Sequence, residues 1–233
     1  MSKKQKEIKT ESQFENIEET LTKTEQFIIN NQNTIYIVVA VLVVIVLGYF
    51  GWNKYYIEPK TQEALDQIYP AQQYFQADSL DKALFGDGNN LGFVDIADEY
   101  SMTAPGKLAN YYAGICYLKK GDYDKAIDFL GKYSGNDEII SNMAIGAIGD
   151  AYLEKGDNDK AVDFYLKAAR NKENKFSTPL FLFKAGEVYE LQKKYQDALD
   201  LYNEIRINYL GSKEGREIEK YIGRVTAKMD NSK

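Results

Sequence analysis

Few residues in this 233-residue chain could do covalent chemistry. Histidine is absent, which removes the commonest general base and the commonest metal ligand. The one thiol, Cys116, can form neither an internal disulfide nor a cysteine-rich zinc site. Set between Ile115 and Tyr117, it reads as a small core residue rather than a nucleophile. Two polar runs, 157–160 (DNDK) and 86–90 (GDGNN), have the look of calcium loops but lack the full ligand spacing and its closing Glu. No glycine-rich phosphate loop and no Ser/Lys dyad occurs. A net charge of −6 argues against nucleic acid, whose phosphates need a basic face. The expectation is a protein that is not an enzyme, with no metal, no cofactor, no nucleic acid and no small-molecule substrate. Its chemistry would be the non-covalent recognition of other proteins.

The elements that would present such a surface follow from hydropathy and charge. Apolar residues make up 44% of the chain and charged residues 27%, enough to bury a core. Residues 1–33 form a polar arm with five Lys and six Glu. Within it Phe14, Ile17, Leu21 and Ile28 share one helical face opposite Glu15, Glu18, Glu19 and Glu25, an acidic amphipathic pattern suited to a protein partner rather than to anionic lipid. Residues 34–52 carry no charge, and twelve of them are Ile, Val, Leu or Phe. As a helix this run spans about 28 Å, close to a bilayer's hydrocarbon core. Its apolar residues favour insertion by about 4–7 kcal/mol. Tyr36 stands at one end and Tyr49, Trp52, Tyr55 and Tyr56 at the other, as interfacial aromatics do. The run is too long for a signal-peptide core and no small-residue cleavage site follows it, so it reads as an uncleaved anchor. Within twenty residues of it the arm offers Lys23 and the body Lys54 and Lys60, so charge leans weakly away from an arm-inside topology and leaves orientation open.

The body repeats itself. Aligned on Ala126, Ala161 and Ala198, three segments carry Gly114, Gly149 and Gly186 twelve residues earlier. Tyr117, Tyr152 and Tyr189 stand nine earlier, and Leu130, Tyr165 and Tyr202 four later. Two antiparallel helices per segment explain the residue types: the small residues sit where the helices approach and the large ones fill the space around that contact. Gly121 and Gly156 can end the first helix in the left-handed conformation, and Asp122 and Asp157 can cap the next. Lys193 takes the glycine's place in the last segment, at a strain of ~1 kcal/mol. Thr178–Pro179 reads as an N-cap followed by a proline at the first helical position. Upstream, Tyr74 and Ala83 outline a degenerate further copy, followed by the 86–90 insertion and a helix-like 94–101, with Pro70 kinking the helix before. Downstream, Ile218, Tyr221, Ile222 and Val225 form one stripe on a last helix that would close the stack. The expected organisation is an all-α chain: arm 1–33, transmembrane anchor 34–52, linker helix and degenerate repeat 53–104, three repeats 105–210, and a capping helix 211–233.

These spacings resemble the tetratricopeptide repeat family over about 107–210, although the family's first-helix Trp is missing from every copy. The resemblance implies a helical-hairpin solenoid whose inner, protein-binding face is built from first helices. Carried over to this chain, the inner positions are Tyr111, Ile115 and Leu118, then Met143, Asp150 and Leu153, then Leu180, Phe183, Glu187 and Glu190. That face is apolar with an acidic edge, suited to hydrophobic polypeptide or a partner helix. Some members clamp an acidic peptide C-terminus with Lys and Asn on this face; no Lys occupies those positions here.

The order of arm, anchor and repeats is also similar to the YfgM-type ancillary subunits of the bacterial Sec translocon. The matching stretches are EQFIINNQNT (25–34) and FVDIADEYSMTAPGKLANYYAGICYLKKGDYDKAI (93–127). That resemblance implies an inner-membrane protein with its N-terminal arm in the cytoplasm and its repeats in the periplasm. Its partners would be the SecYEG channel, a PpiD-type membrane-anchored chaperone and nascent or unfolded polypeptide. The alternative is a structural scaffold that assembles an envelope or cytoplasmic complex at the membrane.

Overall fold

The structure, a computed structural model, describes residues 25–230. The arm's expected amphipathic face at Phe14, Ile17 and Leu21 lies outside the described residues. Contacts divide the chain into two units, 1–56 and 57–233. Among the described residues every regular element is helical.

In the first unit, α1 (Gln32–Trp52) holds the apolar run, and none of its residues is buried. The helix that contains it is long and apolar enough to cross a membrane, with a mean hydropathy of 2.6 over its best window. Trp52 and Tyr56 stack at 4.3 Å near its C-terminal end. A π-helical turn, Asn53–Ile57, follows.

The second unit is a stack of hairpins. Its helices are α2 (Glu58–Gln76), α3 (Leu80–Phe85), α4 (Phe93–Glu99), α5 (Ala104–Lys119) and α6 (Tyr123–Lys132). They continue with α7 (Glu138–Glu154), α8 (Asn158–Asn171), α9 (Ser177–Leu191), α10 (Tyr195–Asn208) and α11 (Lys213–Asp230). Hairpins α5–α6, α7–α8 and α9–α10 are the expected repeats, and α2–α3 is the degenerate copy.

One turn recurs in all four. The residue five before the aligned alanine has positive φ: Asp78 (56°), Gly121 (77°), Gly156 (80°) and Lys193 (61°). The next residue's N–H then donates back to the tyrosine carbonyl: Ser79 to Tyr74, Asp122 to Tyr117, Asp157 to Tyr152, and Lys194 to Tyr189, at 2.9–3.0 Å. This closure satisfies carbonyls that a helix end leaves open. Asp122 and Asp157 also cap the second helix, accepting from the Lys125 and Lys160 N–H groups. Lys193 and Asp78 hold a conformation that L-residues resist, because the Cβ crowds the carbonyl.

The close approach falls at the small column. A Cβ on Gly114 would lie 2.5 Å from Leu130 Cγ; on Gly149, 2.8 Å from Tyr165 Cδ1; on Gly186, 2.4 Å from Tyr202 Cε1. Each glycine thus faces the large residue four positions after its alanine, and Leu130, Tyr165 and Tyr202 are almost wholly buried. Outside this contact Tyr117 stacks on Phe129 and Tyr152 on Phe164, both at 5.3 Å, pairs that contribute about 0.5–1.5 kcal/mol beyond area burial.

One local expectation changes, at the start of α9. That helix begins at Ser177, and the Asn174 carboxamide oxygen accepts from the Phe176 and Ser177 N–H groups in place of a Thr178 cap. Thr178 instead donates to the Ala169 carbonyl, tying α9 to α8, and Pro179 sits one turn inside, where its missing N–H costs nothing. Upstream, Pro70 lies within α2, whose helical assignment runs through it. The helix-like 94–101 expected after the 86–90 insertion is present as α4. Gly86, at φ 79°, stops α3 after six residues, and α4 drops Phe93 between Phe75 and Tyr112, stacked on Tyr112 at 5.0 Å.

Two substitutions test the repeat contact and its turn. Gly186→Ala is expected to lose about 1–3 kcal/mol, because buried Tyr202 cannot retreat. Lys193→Gly is expected to gain about 0.5–1 kcal/mol by relieving the positive φ, net of glycine's freer unfolded state. Urea unfolding of the full chain in detergent, followed by far-UV circular dichroism, reads both signs.

Candidate protein-binding face

The first helices α5, α7 and α9 each turn one stripe away from their partner helix. Ile115, Asp150 and Glu187 occupy one repeat position and Leu118, Leu153 and Glu190 the position three residues on, so they share a face. Three hollows lie in series along it. The first, of 410 Å³, is walled by Leu118, Tyr123, Asp150, Leu153 and Glu154. The second, of 490 Å³, shares Asp150 and Leu153 with it and adds Lys184, Glu187, Glu190 and Leu191. The third, of 340 Å³, shares Lys184 and Glu187 with the second and is lined by Leu180, Phe183, Glu217 and Tyr221. Shared walls make the three one trough.

Ion pairs one repeat apart set its electrostatics. Lys184 donates to both Asp150 oxygens at 2.7 and 2.9 Å, and the Tyr165 hydroxyl donates to the same carboxylate at 2.5 Å. Arg224 and Lys228, from α11, donate to the two oxygens of Glu190 at 2.6 and 2.9 Å, and the Tyr202 hydroxyl adds a third bond. Burial pushes the Glu190 carboxyl up, but these donors outweigh it and hold it below its ordinary value of 4.5. Burial, then Asp150, pushes the Tyr165 hydroxyl up. Glu187 has no hydrogen bond or ion pair among the described residues, and burial pushes its carboxyl up.

Of the ten inner-face positions, Leu118, Asp150, Leu153, Leu180, Phe183, Glu187 and Glu190 line the trough. Tyr111, Ile115 and Met143 do not: they are half-buried and pack against the two cores, Tyr111 edge-on to Tyr112 and Tyr133. Glu190 departs from the expected open acidic edge, because α11 covers it and leaves it 8% exposed. Sequence reasoning did not place Lys184, Arg224 or Lys228 here. The signal was available: Lys184 follows Asp150, and Arg224 follows Glu190, by 34 residues, one repeat length.

The other candidates fall to structural roles. Cys116 is fully buried and burial pushes its thiol up to about 12, so it holds no thiolate near neutral pH. Asp87 accepts from the Asn89 and Asn90 N–H groups and from the Tyr74 hydroxyl at 2.7–2.9 Å, which uses both oxygens to fold the loop. The tyrosines of the repeat columns are core or half-buried residues.

A stack of helical hairpins with a trough along its first helices defines a class of protein–protein interaction scaffold. Comparison with family models agrees: a tetratricopeptide repeat model matches residues 147–211, and another tetratricopeptide repeat model matches residues 108–136. These two stretches therefore resemble tetratricopeptide repeats, which suggests a scaffold for protein–protein interaction. No curated protein matches the chain at a significant level.

Glu190 generates a signed prediction. Its folded-state acidity lies below the unfolded value, so its stabilisation is present above pH 4.5 and is lost as pH falls through the folded value. Glu190→Gln is expected to cost about 1–3 kcal/mol at pH 7 and to flatten the loss of stability below pH 4.5. Thermal unfolding across pH 3–7 measures both effects.

Proposed function

We propose that this chain is a membrane-anchored binding module rather than an enzyme. In this reading α1 crosses the bilayer and the trough receives an apolar stretch of another polypeptide. The observation that carries it is the continuity of the three hollows, which share Asp150, Leu153, Lys184 and Glu187 as walls. Leu118, Leu153, Leu180 and Phe183 offer apolar surface along that path, and the paired charges between them hold its shape. An extended or helical segment laid there buries apolar side chains and finds polar groups for its backbone.

The finer reading places the protein in a bacterial inner membrane, arm in the cytoplasm and repeats in the periplasm. There it would sit beside SecYEG with a PpiD-type chaperone and receive emerging chains. The stretches 25–34 and 93–127 and the order of anchor and repeats support it. A second reading, a scaffold joining folded partners, is favoured by the ion-paired walls of the middle hollow, which suit a fixed surface.

Photo-cross-linkers placed at Leu118 and Leu153 in living cells distinguish these readings. The expected products are channel subunits, a chaperone and short-lived precursors, several-fold fewer when Leu153→Glu is combined with the Leu118 probe. A fixed set of mature proteins alone would establish the scaffold, and no adduct from either position would remove the trough. A C-terminal reporter found in the cytoplasm would reverse the topology.

A further inference from the structure

We infer that the edge of the repeat stack at which the first helices begin is a lipid-facing edge, and that it rests on the bilayer that holds α1. Met102, Ile139, Phe176 and Leu210 would dip into the headgroup layer. The inference rests on the reading of α1 as a membrane span and adds which side of the repeats meets lipid.

The first observation is a difference between two edges. The first helices α5, α7 and α9, and the last helix α11, all begin at one edge, and one large apolar residue is exposed at each beginning. These are Met102, Ile139, Phe176 and Leu210, between 48% and 62% exposed. Ile207 lies beside the last of them and is exposed too. The turns at Asp78, Gly121, Gly156 and Lys193 form the opposite edge, and the one exposed large apolar residue beside them among the described residues is Leu191. Single apolar residues scattered over a surface need no explanation, but one at every connection along a single edge makes a row.

The second observation says what covers the row. As first helix of the degenerate copy, α2 also begins at this edge. Pro59 stands nineteen residues before the positive-φ residue Asp78, as Met102 stands nineteen before Gly121. Pro59 is only seven residues beyond Trp52, where α1 ends. So short a tether holds this edge at the membrane at a high effective concentration. The turn edge lies a full first helix further on, about 24 Å for the sixteen residues of α5.

Charge fits the same occupant. The connections 170–176 and 206–216 together carry six Lys and Arg against two Glu, in a chain whose net charge is −6. Lys175, Lys213 and Arg216 are exposed there and make no ion pair among the described residues. Apolar side chains interleaved with basic ones suit a headgroup layer, where the first sink and the second meet phosphate. Asp137 and Glu138 precede Ile139, so at that connection the contact is apolar only.

The test uses the full chain in phospholipid vesicles that contain a nitroxide-bearing lipid as quencher. Cys116→Ala removes the buried thiol, and a fluorophore is attached through Glu138→Cys or Asn208→Cys on the first-helix edge, or through Gln196→Cys on the turn edge. Trp52, the single tryptophan, reports the anchor in the same samples. Trp52 is expected to be quenched, and the fluorophore at positions 138 and 208 about threefold more than at position 196. Ile139→Ser, Phe176→Ser, Ile207→Ser and Leu210→Ser in one chain should bring position 208 down to the level of position 196, with the far-UV spectrum unchanged. Equal or absent quenching at the two edges, or quenching at position 208 that survives the serine variant, overturns the inference and leaves the anchor standing. An unquenched Trp52 removes the anchor reading itself.

Discussion

The structure depends on how closely two helices can approach. At Gly114, Gly149 and Gly186 the first helix has no side chain, and Leu130, Tyr165 and Tyr202 of the second helix fill that space. A close-packed interior leaves no room for even one added carbon there. The approach fixes the crossing of each hairpin, and the crossing fixes which stripe of the first helix is left facing outward. Tyr165 and Tyr202 then do a second thing from the same position. Their rings fill the contact while their hydroxyls reach through to Asp150 and Glu190 on the inner face. Burying a tyrosine leaves a polar tip that needs a partner, and here the partner is a carboxylate of the trough wall.

Between hairpins the recurring device is an ion pair one repeat long. Lys120 reaches Asp81 at 2.6 Å and Lys155 reaches Asp124 along one edge, where neutral Gln192 takes the lysine's place and donates a hydrogen bond to Asp159 at 2.8 Å. Lys184 reaches Asp150 on the inner face, and Arg170 holds Glu204 through two bonds of 2.5 Å on another side. Exposed pairs of this kind contribute at most about 1 kcal/mol each, so they do not hold the stack together. The apolar cores do that. What the pairs add is registry, because a hairpin slipped along its neighbour would leave each carboxylate opposite the wrong group. In the middle of the trough they also pair Asp150 and Glu190 with cations.

Much of this was legible from the chain. The columns at Gly114, Tyr117, Ala126 and Leu130, and their copies, announced paired helices because small, aromatic and apolar residues at those spacings have one economical packing. Lys193 stood out as a strained substitute, and it does adopt a positive φ. The degenerate copy was readable from Tyr74 and Ala83, whereas its turn at Asp78 was not, since an aspartate announces no left-handed conformation as a glycine would. The helix after the 86–90 insertion was readable too, and it spans Phe93–Glu99. What was not readable is its packing: Phe93 is one of eleven phenylalanines, and nothing in its neighbours foretells a stack on Tyr112.

The sequence by itself determined the helical repeat, the turn chemistry, the apolar run of α1 and the absence of histidine, because each is a matter of local residue type and period. Only the tertiary structure decided which inner-face residues line the trough. Tyr111, Ile115 and Met143 share the periodicity of Leu118 and Leu153 and are half-buried like them, yet they line none of the three hollows. Glu190 and Glu187 lie three residues apart on one helix, yet Arg224 and Lys228 close over the first, while the second is exposed and makes no hydrogen bond or ion pair among the described residues. Periodicity gives a side chain its direction; its exposure and its charge balance depend on whatever distant segment packs beside it, here a last helix some 34 residues further on.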